Sequence, residues 1–205
     1  MVEYPQVTVR SREQWRAWLC AHHDSERGVW LVRFKQGRGP YVPYEEVVLE
    51  ALAFGWVDSQ PRSLDQDRSQ LLITRRRSGS RWSAANRRRI ASLREQGLMT
   101  AAGEAVVARA QADGTWEALD AVEALQEPED LRVALERTPG ARAQWDEFPR
   151  STRRAILEWI LAAKRPDTRA RRVTQTASDA AVGIRANQWR QPRATRTRSP
   201  RDGQG

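Results

Sequence analysis

The segment Val29-Trp30-Leu31-Val32-Arg33-Phe34 restricts the fold more than any other stretch of this chain. Its β-branched and aromatic residues mark a strand, and its nearly unbroken apolar character marks one covered on both faces. It lies between two segments of helical period. Upstream, Ser11 followed by Gln14 reads as a capping box for a helix over about residues 12–23,. There Trp15, Trp18, Leu19 and His22 fall at i, i+3, i+4 and i+7 and form one apolar stripe,. Downstream, Gln36 through Pro40 is a loop, and Pro43 begins a helix with Glu45 and Glu46 at its positive end,. Val47, Val48, Ala51 and Leu52 form its core face, and Gly55 is the left-handed residue that ends it,. A strand wedged between such helices predicts an α+β fold: a small β-sheet flanked by helices.

The rest of the chain extends this reading. Trp56-Val57-Asp58-Ser59 leaves Gly55 as a second strand, Pro61 through Asp67 is a turn, and Leu71-Leu72-Ile73-Thr74 is a third strand. Ser83 caps a helix over 84–96 stopped at Gly97, Thr100 caps another over 101–112 stopped at Gly114, and a shorter one spans about 116–125,. From Pro128 the pattern is helical throughout. A helix runs to Arg137, a short segment to Phe148, a third piece is capped by Ser151, and the last is capped by Thr168 and reaches Gly183. The predicted organisation is an N-terminal α+β domain over 1–126, a C-terminal helical module over 127–184, and a disordered Arg-rich tail over 185–205,.

Charge and composition set limits on function. The net charge is +9, but six tail arginines against Asp202 alone account for +5 of it, leaving +4 for residues 1–184. Lys35 and Lys164 are the only lysines, so the arginine count reflects codon usage in a G+C-rich genome as readily as a demand for phosphate binding. With Cys20 alone there is no intrachain disulfide, and a mean hydropathy of -0.74 with no long apolar run points to a cytoplasmic protein without a transmembrane segment,. Nine tryptophans outnumber three Phe and three Tyr, and the need to satisfy each indole N–H predicts that several sit at element ends and pocket rims,.

Two tryptophan-centred motifs hold the candidate functional residues: Phe54-Gly55-Trp56-Val57-Asp58-Ser59, and Ser80-Arg81-Trp82-Ser83 followed by Asn86. Trp56 and Asp58 share a strand face. If Lys35, Glu50, Asp65, Arg76, Ser80 and Asn86 converge there with Trp30, Trp56 and Trp82 as walls, the result is a mixed-charge pocket for a small polar ligand or a protein contact,. The plainer reading is a structural network in which Asp58 pairs Arg76 and fixes the sheet to the Ser83 helix. Ser80 and Ser83 read more readily as helix caps than as nucleophiles, since no His is placed to activate them,. Cys20, His22 and His23 are too few for structural zinc; His22 reads as core and His23 as solvent-facing,. No cofactor fingerprint appears. Two other readings stay open: weak nucleic-acid binding through the arginines of 75–89 and the tail, and an enzyme using Asp58 or Glu50 as general base,.

Those motifs, with Trp15-Arg16-Ala17-Trp18-Leu19, Tyr44-Glu45-Glu46, Gly97-Leu98-Met99-Thr100, Pro128-Glu129-Asp130-Leu131, Trp159-Ile160 and Ala163-Lys164, resemble the YdeI/OmpD-associated, or bacteriocin-protection, family over nearly all of residues 9–183. The chain departs from the family pattern at Arg75-Arg76, where a Pro-Arg pair is usual, and at Ser69 and Ile73, where Tyr and Phe are usual. The resemblance implies bacterial origin and a part in envelope stress or tolerance of bacteriocins. It implies no reaction, substrate or cofactor, and the expected function is non-enzymatic binding.

Overall fold

The computed structural model describes residues 3–188; the expected disordered tail beyond that point lies outside the described residues. The chain divides into two compact units that meet in sequence at Leu119 and Asp120.

The first unit is built on a four-stranded sheet in the order β1-β2-β4-β3. Strand β1 (Gln6–Thr8) leads into α1 (Arg12–His22) and β2 (Gly28–Phe34), and β1 pairs with β2 in parallel. Helix α2 (Tyr44–Ala53) is followed by β3 (Trp56–Ser63) and β4 (Arg68–Arg75), an antiparallel hairpin whose second strand pairs with β2. Helices α3 (Ala84–Glu95) and α4 (Ala101–Ala112) complete the unit. Val29 pairs with Ile73 and Leu31 with Leu71, so these four residues share one sheet face, and all are buried. They join Trp15 and Leu19 of α1 and Val47, Val48, Ala51 and Leu52 of α2 in one core. The opposite face carries Trp30 beside Leu72 and Gln6. Trp30 is only half-buried, and Arg62 stacks on it at 4.4 Å, while Val32 is buried.

The expected caps form. Ser11 Oγ accepts from the Gln14 amide, and Gln14 Oε1 accepts in turn from the Arg10 amide at 2.8 Å. Ser83 accepts from the Asn86 amide and Thr100 from the Gly103 amide. Pro61, expected in the turn, instead lies within β3; the turn is shorter, between Ser63 and Arg68. Because β3 is an edge strand, its proline removes no ladder hydrogen bond that the sheet needs, and a bulge between Asp58 and Pro61 takes up the misfit,. Four tryptophans, Trp15, Trp56, Trp82 and Trp145, are fully buried. Trp15 and Trp145 satisfy their N–H groups internally, on the Val47 carbonyl and the Glu127 carboxylate.

The second unit is helical: α5 (Asp120–Glu123), α6 (Glu129–Arg137), α7 (Ala141–Glu147), α8 (Arg150–Leu161) and α9 (Pro166–Ala181). Leu131, Leu135, Trp145, Phe148, Ile156, Ile160 and Val173 make its core. Two helix starts differ from the sequence reading. Pro149 rather than Ser151 precedes α8, and Arg165 rather than Thr168 precedes α9. Pro166 occupies the first turn of α9, where its fixed φ suits the helix and its missing N–H costs nothing,. The short helix expected over 116–125 shrinks to α5, whose Glu123 carboxylate holds Arg154 of α8 at 2.8 Å. Arg169 grips Asp130 with two hydrogen bonds, and Glu127 accepts from both Arg142 and Trp145.

Helix α4 reaches α2 through Gly103. A Cβ there would stand 2.2 Å from the Ala53 carbonyl oxygen. Gly103→Ala is therefore expected to push α4 away from α2 and cost about 1–3 kcal/mol, as overpacking does. Urea denaturation of the variant, compared with Gly114→Ala, checks this; φ at Gly114 is +73° but its surroundings are open.

Candidate functional site

Arg76 lies four residues before the second tryptophan motif and packs against it. Its amide donates to the Gly55 carbonyl at 3.0 Å, which brings the end of β4 against the turn leaving α2. Gly55 can make that turn because its φ is +76°,. The Arg76 side chain then runs inward and is only 7% exposed. Its guanidinium lies 3.6 Å over the Trp82 ring, and Trp82 is backed by Trp116 at 5.0 Å. Such a desolvated stack is worth roughly 2 kcal/mol. Nη1 donates to Ser80 Oγ at 3.4 Å and the Arg81 carbonyl at 3.3 Å. Nε is sealed from solvent with no acceptor.

Among the described residues no carboxylate forms an ion pair with Arg76. Burial lowers its pKa to about 10, against a smaller opposing pull from the Asp58 charge. The group is therefore cationic at neutral pH, buried, and short of an anion. The expected Asp58–Arg76 pair is absent because Asp58 is engaged elsewhere: its Oδ2 accepts from the Tyr44 hydroxyl at 2.6 Å. Tyr44 begins α2, and next to it Glu45 makes a bidentate pair with Arg89 of α3 at 2.6 and 2.8 Å. Arg89 also donates to Asn86 Oδ1 at 2.8 Å. Asp58, Tyr44, Glu45, Arg89 and Asn86 thus tie β3, α2 and α3 together. Trp56 packs edge-on against Trp18 at 6.0 Å.

Other expected site residues lie elsewhere in the unit. Both oxygens of Glu50, which is 1% exposed, are taken by Arg12 and Arg16 at 2.6 Å, binding α1 to α2. Lys35 donates to the Asp65 and Gln66 carbonyls, and Asp65 accepts from the Asp67 and Arg68 amides, so both shape the β3–β4 turn. Trp30 sits on the outer sheet face, in a wide hollow of about 940 Å³ shared with Tyr4, Gln60 and Arg62. The structure thus brings together Arg76, Ser80 and Trp82 in one place and Asp58 and Asn86 in a second network. Glu50, the Lys35/Asp65 turn and Trp30 stand apart from both.

Two openings border Arg76. One, beside Ser80, Trp82 and Thr115, holds only about 10 Å³, room for one water,. The other is a hollow of about 280 Å³ lined by His23, Asp24, Phe54, Trp56, Arg75, Arg76 and Arg109. Sequence reasoning missed His23, Arg75 and Arg109 as members of this site. Arg109 lies on α4, and no local motif signals its approach. His23, expected in solvent, is largely covered, with Nδ1 3.1 Å from the Leu19 carbonyl and its ring against Phe54. His22 stacks on Trp18. Among the described residues no group of three or more His, Cys, Asp or Glu is placed to hold a metal ion.

The arginines of 75–89 do not form one open face. Arg75 is bound to the Glu26 carbonyl, Arg76 is buried and Arg89 is paired with Glu45, while Arg77 and Arg88 are exposed.

Burial, followed by the hydrogen bond to Asp58, raises the Tyr44 pKa to about 12. Because the folded value exceeds the ordinary 10, the contact's contribution to stability is complete below pH 10 and is lost as pH rises towards 12,. A phenolate step near pH 12 is expected in absorbance at 295 nm, and Tyr44→Phe should remove it.

Residues 124–183 match the family described as bacteriocin-protection, YdeI or OmpD-associated, and residues 7–106 match a domain of unknown function (DUF8412). No curated protein and no solved structure matches the chain. The family likeness expected over 9–183 is thus found over 124–183, and most of the α+β unit answers to a different description. Helices α6 to α9 thus fall within the stretch similar to the YdeI/OmpD-associated, bacteriocin-protection family, and the sheet of the first unit lies outside it.

Proposed function

We propose that the chain is a non-enzymatic, cytoplasmic binding protein of bacterial stress tolerance, and that its α+β unit takes a small anionic ligand in the hollow beside Arg76. One observation carries this reading: Arg76 is a buried cation held by stacking and two neutral acceptors, with an orphaned Nε and no carboxylate partner among the described residues. A charge left in that state costs stability, and such costs cluster at functional sites. Arg75 and Arg109 on the same hollow add positive field, against Asp24 in its lining and the more distant charges of Asp58 and Asp113. The similarity of residues 124–183 to the bacteriocin-protection family supports the cellular role. The catalytic alternative has less behind it, because both oxygens of Glu50 are bound by arginines and Asp58 already accepts from Tyr44. Nucleic-acid binding is weakened because the arginines of 75–89 present no single open face, with Arg76 buried and Arg89 paired with Glu45.

Inorganic phosphate, titrated at constant ionic strength, should raise the melting temperature of the protein. At a hundred times its Kd, the gain is about 2.7 kcal/mol. Arg76→Met keeps the apolar stem but removes the charge and the guanidinium that stacks on Trp82. Whatever its own melting temperature, it should lose the rise that phosphate produces. An equal response in both proteins would refute the reading.

A further inference from the structure

Helix α1 carries a second stripe, distinct from the one facing the core. Glu13, Arg16, Ala17, Cys20 and His23 fall at i, i+3, i+4, i+7 and i+10 and line one side of a trough of about 630 Å³. Phe54 and the start of α4, Thr100, Ala101 and Ala102, line the other. Ala17, Cys20, Ala101 and Ala102 are small, so the trough is cut by missing bulk, and its walls between the two ends are apolar. From Glu13 to His23 it is about 15 Å long, at 1.5 Å of rise per residue. Its His23 end shares His23, Phe54 and Ala102 with the cationic hollow of Arg75, Arg76 and Arg109.

The two ends differ in charge. At the far end Arg12 and Arg16 share Glu50, and Glu13 offsets the remaining charge, so that end offers an anion no net attraction. At the near end the hollow is lined by three guanidinium groups and Asp24, with Asp58 and Asp113 acting on Arg76 and Arg109 only through space, and Arg76 there is more than nine-tenths buried without an ion-pair partner among the described residues. His23 lies between the two ends, its Nδ1 at the Leu19 carbonyl and its Nε2 3.4 Å from Asp24. A ligand with an apolar body and one negative end would therefore lie in a single direction. The chain's own Arg-rich C-terminus is a poor occupant, since Arg190, Arg193, Arg196, Arg198 and Arg201 repel the same hollow.

We propose that trough and hollow form one site for a single-chain amphiphile with an anionic head, the chain lying along α1 and the head meeting Arg75, Arg76 and Arg109. This inference rests on the anion-binding reading of the Arg76 hollow. It adds the class of ligand and the direction in which it lies.

The test uses the full chain and straight-chain carboxylates from butanoate to dodecanoate, each below its micelle concentration, followed by calorimetry. Decanol, decyltrimethylammonium and inorganic phosphate serve as comparison probes. Affinity should rise about two- to fourfold per added CH₂ while the trough fills, then level off near ten to twelve carbons. Decanoate should bind at least tenfold more tightly than decanol, and Arg76→Met should abolish that difference. Ala17→Trp, an exposed position that fills the trough, should flatten the chain-length series and leave phosphate binding unchanged; Ala101→Leu offers a second such variant. Phosphate binding that depends on Arg76 without any chain-length effect would overturn the amphiphile and leave the anion site standing. Absence of every anion response would remove both. Decyltrimethylammonium binding as tightly as decanoate would also overturn the proposal.

Discussion

The carbonyl groups where α2 ends hold the first unit together. The Ala53 carbonyl accepts from both the backbone amide and the hydroxyl of Thr100, at 3.2 and 2.7 Å. Two residues on, the Gly55 carbonyl accepts from the Arg76 amide. The last turn of any helix leaves carbonyls without intrahelical donors. Here those groups recruit the start of α4 and the end of β4, elements 47 and 21 residues further along the chain. Gly55 bends the backbone so that this is possible, and Gly103 lets α4 come close enough for the contact. The hollow beside Arg76 lies where these elements meet, so its geometry follows from satisfying a helix end.

Within that frame the charged groups divide by what they face. Glu50, Asp65 and Glu45 each meet arginines or backbone amides and complete local structure. Arg76 is stabilised mainly by the face of Trp82, which offers quadrupole attraction but no counter-charge,. This difference, rather than the number of arginines, separates a candidate binding residue from the structural ones. Asp58 shows how narrow the margin is. It shares the strand face of Trp56 as the two-residue spacing requires, yet the Tyr44 hydroxyl claims it, and its charge reaches Arg76 only through space.

Much of the architecture was legible because it rests on local chemistry. Ser11, Ser83 and Thr100 announce their helices through short-range caps, and the apolar spacing of Trp15 and Leu19 or Val47 and Leu52 names the core face. Strand β1 was not legible: three residues give no alternation, and its pairing depends on β2 being present. The run of Pro61 reads as a turn until the strand is known to be an edge. The candidate site was legible in Trp56 and Trp82, each in its own motif, and in Arg76, four residues before the second. Arg109 and His23 were not, since they arrive on helices remote in sequence. Grouping Lys35, Glu50 and Asp65 with that site failed for a related reason, because a charged residue in a motif-rich region is as able to serve a turn or a helix contact as a pocket.

The bulged strand β3 also bears on how this protein behaves at high concentration. An open sheet margin is a template for recruiting a neighbouring molecule's backbone, the first step towards amyloid-like stacking. Along β3 the register breaks at Asp58, Pro61 withholds an amide, and the Arg62 side chain that stacks on Trp30 carries charge to the rim. Self-templating along this margin is thereby discouraged.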